Sequence, residues 1–155
     1  MTSELVWVGG ISVRPLERLG TGGGCATWAG LGAAAQEYGV AVPGGFISHT
    51  GVGGLTLGGG LGWLSRKAGL SCDNVLEAQV VTADGTIRTA SATENPDLFW
   101  AIRGGGGNFG VVTSLTFTLT AGGPVGDRGM VFVGLEPGAG MLRVARRDGG
   151  RTRRE

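Results

Sequence analysis

The sequence predicts a folded domain that mixes short helices with antiparallel strands, and three observations carry that reading. Hydrophobic residues make up 41% of the chain against 16% charged, a balance too apolar for disorder. Segments of helical periodicity alternate with segments of two-residue periodicity. Glycine clusters punctuate them: 34 of 155 residues are glycine, about three times the ordinary share of roughly 7%. A chain of this length can bury a single core, so it is one domain or a fragment of something larger.

The elements follow in chain order. In "TWAGLGAAAQEYG" Trp28, Leu31, Ala35 and Tyr38 share one helical face, and Gly39 stands where a helix terminates. In "LEAQVVTADGTIRTA" Leu76, Ala78 and Val80 alternate with polar neighbours, the chain turns at Asp84-Gly85, and Ile87 resumes the pattern. That is a β-hairpin. "TENPDLFWAIRGG" offers Asn95 as N-cap, Pro96 at the first helical position, Asp97 on the positive dipole end, Arg103 in the last turn and Gly104 as terminator. "GVVTSLTFTLT" alternates Leu115, Phe117 and Leu119 with hydroxyl residues, which predicts a half-buried antiparallel strand.

Charge and composition exclude several function classes. Six arginines crowd the last fifteen residues against Asp148 and Glu155, and the rest of the chain is mildly acidic. No basic face therefore marks a nucleic-acid binder, and the arginine-rich tail at 141–155 reads as a frayed, solvated and disordered terminus. Cys25, Cys72 and His49 are too few for a closed zinc site, so no metal is expected and both thiols read as reduced and packed. No apolar run approaches the ~18 residues of a membrane span. The start lacks the basic and apolar regions of a signal peptide, which gives a cytoplasmic expectation.

Two glycine patterns imitate dinucleotide fingerprints and fail on context. "GLGAAA" at 30–35 lies inside a helix, and "GGGNFG" at 105–110 follows a helix and opens a strand. A pyrophosphate-binding turn needs the reverse order, strand first and helix second. Three glycine clusters remain, at 20–24, 51–62 and 104–110. Bare backbone of this kind suits an extended cofactor with a pyrophosphate and a fused ring, and equally suits tight turns and bulges in a β-rich fold.

The blocks "VPGGFISHTGVGGLTLGGGLGWLSRKAGLSCDNVLEAQVVTADG" and "ENPDLFWAIRGGGGNFGVVTSLTF" resemble the FAD-binding domain of the FAD-linked oxidases related to berberine bridge enzyme, in the vanillyl-alcohol oxidase superfamily. The resemblance runs from about Gly9 to Leu135. It implies an α+β fold, a partial PCMH-type FAD-binding domain over 1–127. Within it the chain would be mainly the second subdomain, an antiparallel sheet flanked by helices. It also implies that a substrate domain begins at 128–140. The implied activity is substrate C–H oxidation with hydride transfer to flavin N5, oxygen as acceptor and a small molecule as substrate. By position, Ser48, His49, Thr50, Gly51, Gly53 and Gly54 would approach the pyrophosphate and ring, and Thr56, Gly58, Gly59 and Gly62 would continue the wrap. Asn108, Phe109, Gly110 and Val111 would lie along the cofactor. His49 is read as a flavin-contacting or turn-forming residue and not as a general base. The leucines and Trp63 would anchor the glycine-rich loop to the core.

Departures from the family bear on activity. Nothing here matches the R-G-G-G-H-S-type segment of the first subdomain, whose histidine bonds covalently to flavin. The place of the second covalent link falls near Ile47, so no cysteinyl link is expected. The family's active-site tyrosine has no counterpart, since Tyr38 lies on a helix. The alternative expectation is a catalytically inactive remnant, or a partial module that needs a missing half.

Overall fold

The computed structural model describes residues 9–122. The expected start of a substrate domain at 128–140 and the arginine-rich tail at 141–155 lie outside the described residues. Five strands, β1 (Ile11–Arg14), β2 (Leu19–Gly23), β4 (Val75–Val81), β5 (Ile87–Ser91) and β6 (Val111–Thr118), form one antiparallel sheet in the order β1-β2-β6-β4-β5. A two-stranded ribbon joins β3 (Val40–Ala41) to β7 (Thr120–Ala121). The helices are α1 (Trp28–Gln36), α2 (Val52–Leu57), α3 (Ser65–Ala68) and α4 (Pro96–Ile102), with a 3-10 turn at Cys72–Asn74. The fold is α+β, as expected. No described helix is long and apolar enough to cross a membrane.

The core follows from the periodicities. Leu115, Phe117 and Leu119 are buried as the alternation in β6 predicts, beside Ala78 and Val80 of β4 and Ala90 of β5. From α1, Trp28, Leu31 and Ala35 cover this face, with the Trp28 and Phe117 rings 5.8 Å apart. Phe99 and Ile102 of α4 join the same cluster. Each fully buried large side chain contributes about 1.5–3 kcal/mol.

Several local expectations need correction. Leu76 is exposed, because Val75 pairs with Phe117 and Glu77 with Thr116, leaving Leu76 as the extra residue of a bulge. The bulge slips the alternation by one, and Val75 takes the buried place. Tyr38 is exposed, because α1 ends at Gln36 and Gly39, at φ +65°, turns the chain away. Asn95 occupies the N-cap place in a left-handed conformation but does not cap with its side chain. Its Nδ2 donates instead to the Thr89 carbonyl at 2.7 Å and ties α4 to β5. Pro96 and Asp97 open α4 as expected, and Arg103 follows its last turn, stacked 4.7 Å from the Phe99 ring centre. Of the two thiols Cys72 is packed, and its burial, then the Asp73 carboxylate, pushes its pKa up. Cys25 is exposed, since it sits where β2 leaves the sheet on its way to α1.

Backbone-to-backbone approaches join β2, α2 and β6. Gly24 donates to the Thr113 carbonyl at 2.8 Å, and a Cβ on Gly24 would overlap the Val112 carbonyl oxygen. A Cβ on Gly53 in α2 would lie 2.7 Å from the Gly24 oxygen. Neither neighbour can rotate aside. One residue further, Gly54 is exposed with nothing within 4 Å of a Cβ.

Adjacent glycines in one helix should therefore respond oppositely to alanine. Gly53→Ala is expected to lower stability by ~1–3 kcal/mol through overpacking. Gly54→Ala should raise it by ~0.5–1 kcal/mol, the usual helix gain. Urea midpoints at unchanged slope measure both.

The hairpin turn predicts a pH response. The Thr82 hydroxyl donates to the Asp84 carboxylate at 2.5 Å, the Thr86 amide at 3.1 Å, and Arg88 lies 3.4 Å away. These contacts, the Thr82 hydroxyl first, hold the Asp84 carboxyl well below the ordinary carboxylate value. A depressed pKa stabilises the turn above the ordinary value of 3.8 and loses that contribution as pH falls below it. Amide exchange at Thr86 should show the turn opening more readily below that pH, and Asp84→Asn should abolish the acid dependence.

Candidate functional site

The expected site residues fall into three groups by exposure. Ser48, His49, Gly54, Gly58, Asn108, Phe109 and Val111 are exposed. Thr50, Gly51 and Gly110 are half-buried, and Gly53, Thr56, Gly59 and Gly62 are buried. The stretch expected as a continuous loop contains a helix, α2, which begins just after Gly51. The Thr56 hydroxyl is spent within that helix on the Val52 carbonyl at 2.7 Å. Gly110 borders β4, where a Cβ would lie 2.5 Å from the Val81 oxygen, so strand packing by itself requires a glycine there.

The fold brings the three glycine clusters together. The Gly106 amide donates to the Leu57 carbonyl at 2.9 Å and joins the 104–110 loop to the end of α2. Gly24, from the 20–24 cluster, lies under Gly53. Sequence reasoning missed Gly24, Leu57, Gly106 and Thr113 as parts of this junction. The glycine cluster at 20–24 was a signal, but a main-chain hydrogen bond leaves no mark on residue type. Within the 104–110 loop Asn108 turns back to the Gly105 carbonyl at 3.3 Å.

The segment Ser48–Thr50 has a definite polarity. The amides of Trp28 and Ala29, in the first turn of α1, cannot be satisfied within their own helix. They donate to the carbonyls of Thr50 at 3.1 Å and Ser48 at 2.7 Å. With those carbonyls turned toward α1, the N–H groups of Ser48, His49 and Gly51 have no acceptor among the described residues. The Thr50 amide between them donates to the Ile47 carbonyl at 3.2 Å, so Ser48, His49 and Gly51 are the donors left for an anion on this segment. Residues 44–72 contain no carboxylate, so an anion meets no like charge from this stretch.

Two cavities flank the junction. One of about 340 Å³ is lined by Gly10, Ser12, Thr21, Gly23, Thr113 and Ser114. Another of about 470 Å³ lies between Trp100, Arg103, Gly104, Gly105 and Phe109. Neither is lined by residues 48–62. Trp63 does not anchor this region in the core, contrary to expectation. It is half exposed and pairs edge-on with Phe46.

Residues 9–91 match the family model described as an FAD binding domain. The FAD-linked oxidoreductase pgmH of Aspergillus terreus is 50% identical over 90 residues, covering 58% of this chain and 18% of that protein. The FAD-dependent monooxygenase tpcD of Cochliobolus heterostrophus is 38% identical over 125 residues, covering 81% of this chain and 24% of that protein. Among solved structures, 6-hydroxy-D-nicotine oxidase from Arthrobacter nicotinovorans superposes with a TM-score of 0.72 at 38% identity, covering 74% of this chain and 25% of that one. The BBE-like 1 protein of Physcomitrella patens gives 0.70 at 39% identity, covering 73% and 25%. The chain thus spans about a fifth to a quarter of the length of these relatives. By this similarity the chain belongs to the FAD-binding-domain family of flavin-dependent oxidoreductases, and its cofactor is FAD.

Proposed function

We propose that this chain contributes one wall of the FAD groove of an oxidoreductase acting on a small molecule. The observation that carries this reading is the free amides of Ser48, His49 and Gly51 beside the uncluttered backbone of Gly51 and Gly54. A Cβ at Gly51 or Gly54 would enter open space, which is where a pyrophosphate or ring edge fits against main chain. Ser48, His49, Thr50, Gly51, Gly54 and Gly58 would hold the cofactor on this side, with Asn108, Phe109, Gly110 and Val111 along its length. The buried Gly53, Thr56, Gly59 and Gly62 would shape the wall from beneath.

When bound, the flavin supplies a hydride acceptor at N5 for a substrate C–H bond, with oxygen taking the electrons. The part of this chain is to bind and orient, so His49 is assigned as a contact and not as a base. A second reading, a partial module completed by other polypeptide, is favoured by the chain's span of about a quarter of its relatives.

Titration of the chain with FAD, followed by quenching of flavin fluorescence, tests the assignment. The expected result is weak, fully dissociable binding, with all flavin released on acid precipitation. Gly54→Val should weaken it by about tenfold or more, equivalent to ~1.4 kcal/mol, with no loss in thermal midpoint. Binding indifferent to Gly54→Val overturns the placement. A folded chain that binds no FAD favours the second reading.

A further inference from the structure

The stretches on either side of the Ser48–Thr50 segment and α2 cross at a point with no spare volume. A Cβ on Gly62 would overlap the Gly44 carbonyl oxygen and lie 3.2 Å from the Gly45 Cα. Gly44 in turn lies against the Trp28 ring, and a Cβ on Gly45 would come 2.7 Å from Leu55. The Gly62 amide donates to the Ser65 hydroxyl at 2.9 Å, which fixes the second stretch. Just outside the crossing, the Phe46 and Trp63 rings meet edge-to-face with centroids 4.9 Å apart, and Trp63 Nε1 donates to the Phe46 carbonyl at 3.4 Å. Both rings are about half exposed, so burial alone does not account for their arrangement. Edge-to-face geometry and the indole donor do.

We propose that Phe46 and Trp63 act as a clasp that positions the Ser48–Thr50 segment, a role that rests on the reading of that segment as a cofactor contact. The segment is tethered downstream where Val52 donates to the Ala26 carbonyl at 2.7 Å, and from below by the α1 amides. Upstream of it, after the Gly44–Gly62 crossing, the aromatic pair is the tether nearest the segment. With the pair removed, the segment can lift from α1, and the Trp28 and Ala29 amides lose their acceptors. Phe46 and Trp63 are thus positioning residues, acting through Ser48, His49 and Thr50.

Amide exchange on the full chain tests the clasp without any cofactor. The Trp28 and Ala29 amides report the segment, because their acceptors are the Thr50 and Ser48 carbonyls. Trp63→Ala should lower protection at these two amides by about tenfold or more and leave the β4–β6 ladder unchanged. Trp63→Phe keeps a ring pair and should restore most of that protection. Phe46→Leu, which keeps an apolar side chain but no ring, should reproduce the Trp63→Ala effect and decides the matter should the alanine variant not fold. Unchanged protection at Trp28 and Ala29, or an equal loss across the β4–β6 ladder, overturns the clasp. FAD affinity measured on the same variants bears only on the cofactor reading: exchange that rises while affinity holds leaves the clasp standing and refutes the segment's role as a contact.

Discussion

The structure depends on the close approach of main chain to main chain where β2 ends. Gly24 reaches the Thr113 carbonyl, and Gly53 sits on the Gly24 carbonyl. A side chain on Gly24 would push the end of β2 off β6, and one on Gly53 would wedge α2 away from Gly24. That approach lets Val52 and Thr56 of α2 be buried and keeps the end of α2 within hydrogen-bonding reach of Gly106. It also sets where the Ser48–Thr50 segment leaves α1, because the bridge between Thr27 and Gly51 lies next to it.

Glycine therefore has two physical roles in this chain, and neighbouring residues divide them. Gly24, Gly53, Gly62 and Gly110 lack side chains because other parts of the protein occupy that volume. Gly51, Gly54 and Gly107 lack them with nothing of the described protein nearby. Only the second class is free to meet a ligand with its backbone.

The sheet has a contrasting pair of faces. One carries the core under α1, and the other is rich in hydroxyls, where Thr21 and Thr116 hydrogen-bond across β2 and β6 at 3.1 Å. The bulge at Leu76 and the unpaired Thr113 belong to the same economy of register. Thr113 uses its side chain on Gln79 at 2.8 Å and its carbonyl on Gly24, so the irregularity in β6 is what makes the junction with β2.

By itself the sequence determined the elements whose signals are local. The alternation Leu115, Phe117, Leu119 placed β6, Pro96 and Asp97 opened α4, Asp84-Gly85 turned the hairpin, and two long motif blocks identified the family and its cofactor. Each signal is a side-chain preference acting over a few residues or a pattern shared with relatives. Tertiary structure decided what depends on residues far apart in the chain: that a bulge would expose Leu76, that Asn95 would reach Thr89 instead of capping its helix, that Trp63 would pair with Phe46 at the surface, and which glycines are packed and which are open. The reason is physical. A glycine is the same residue whether its missing Cβ makes room for another strand or for a ligand, and only the atoms brought beside it by folding tell the two apart.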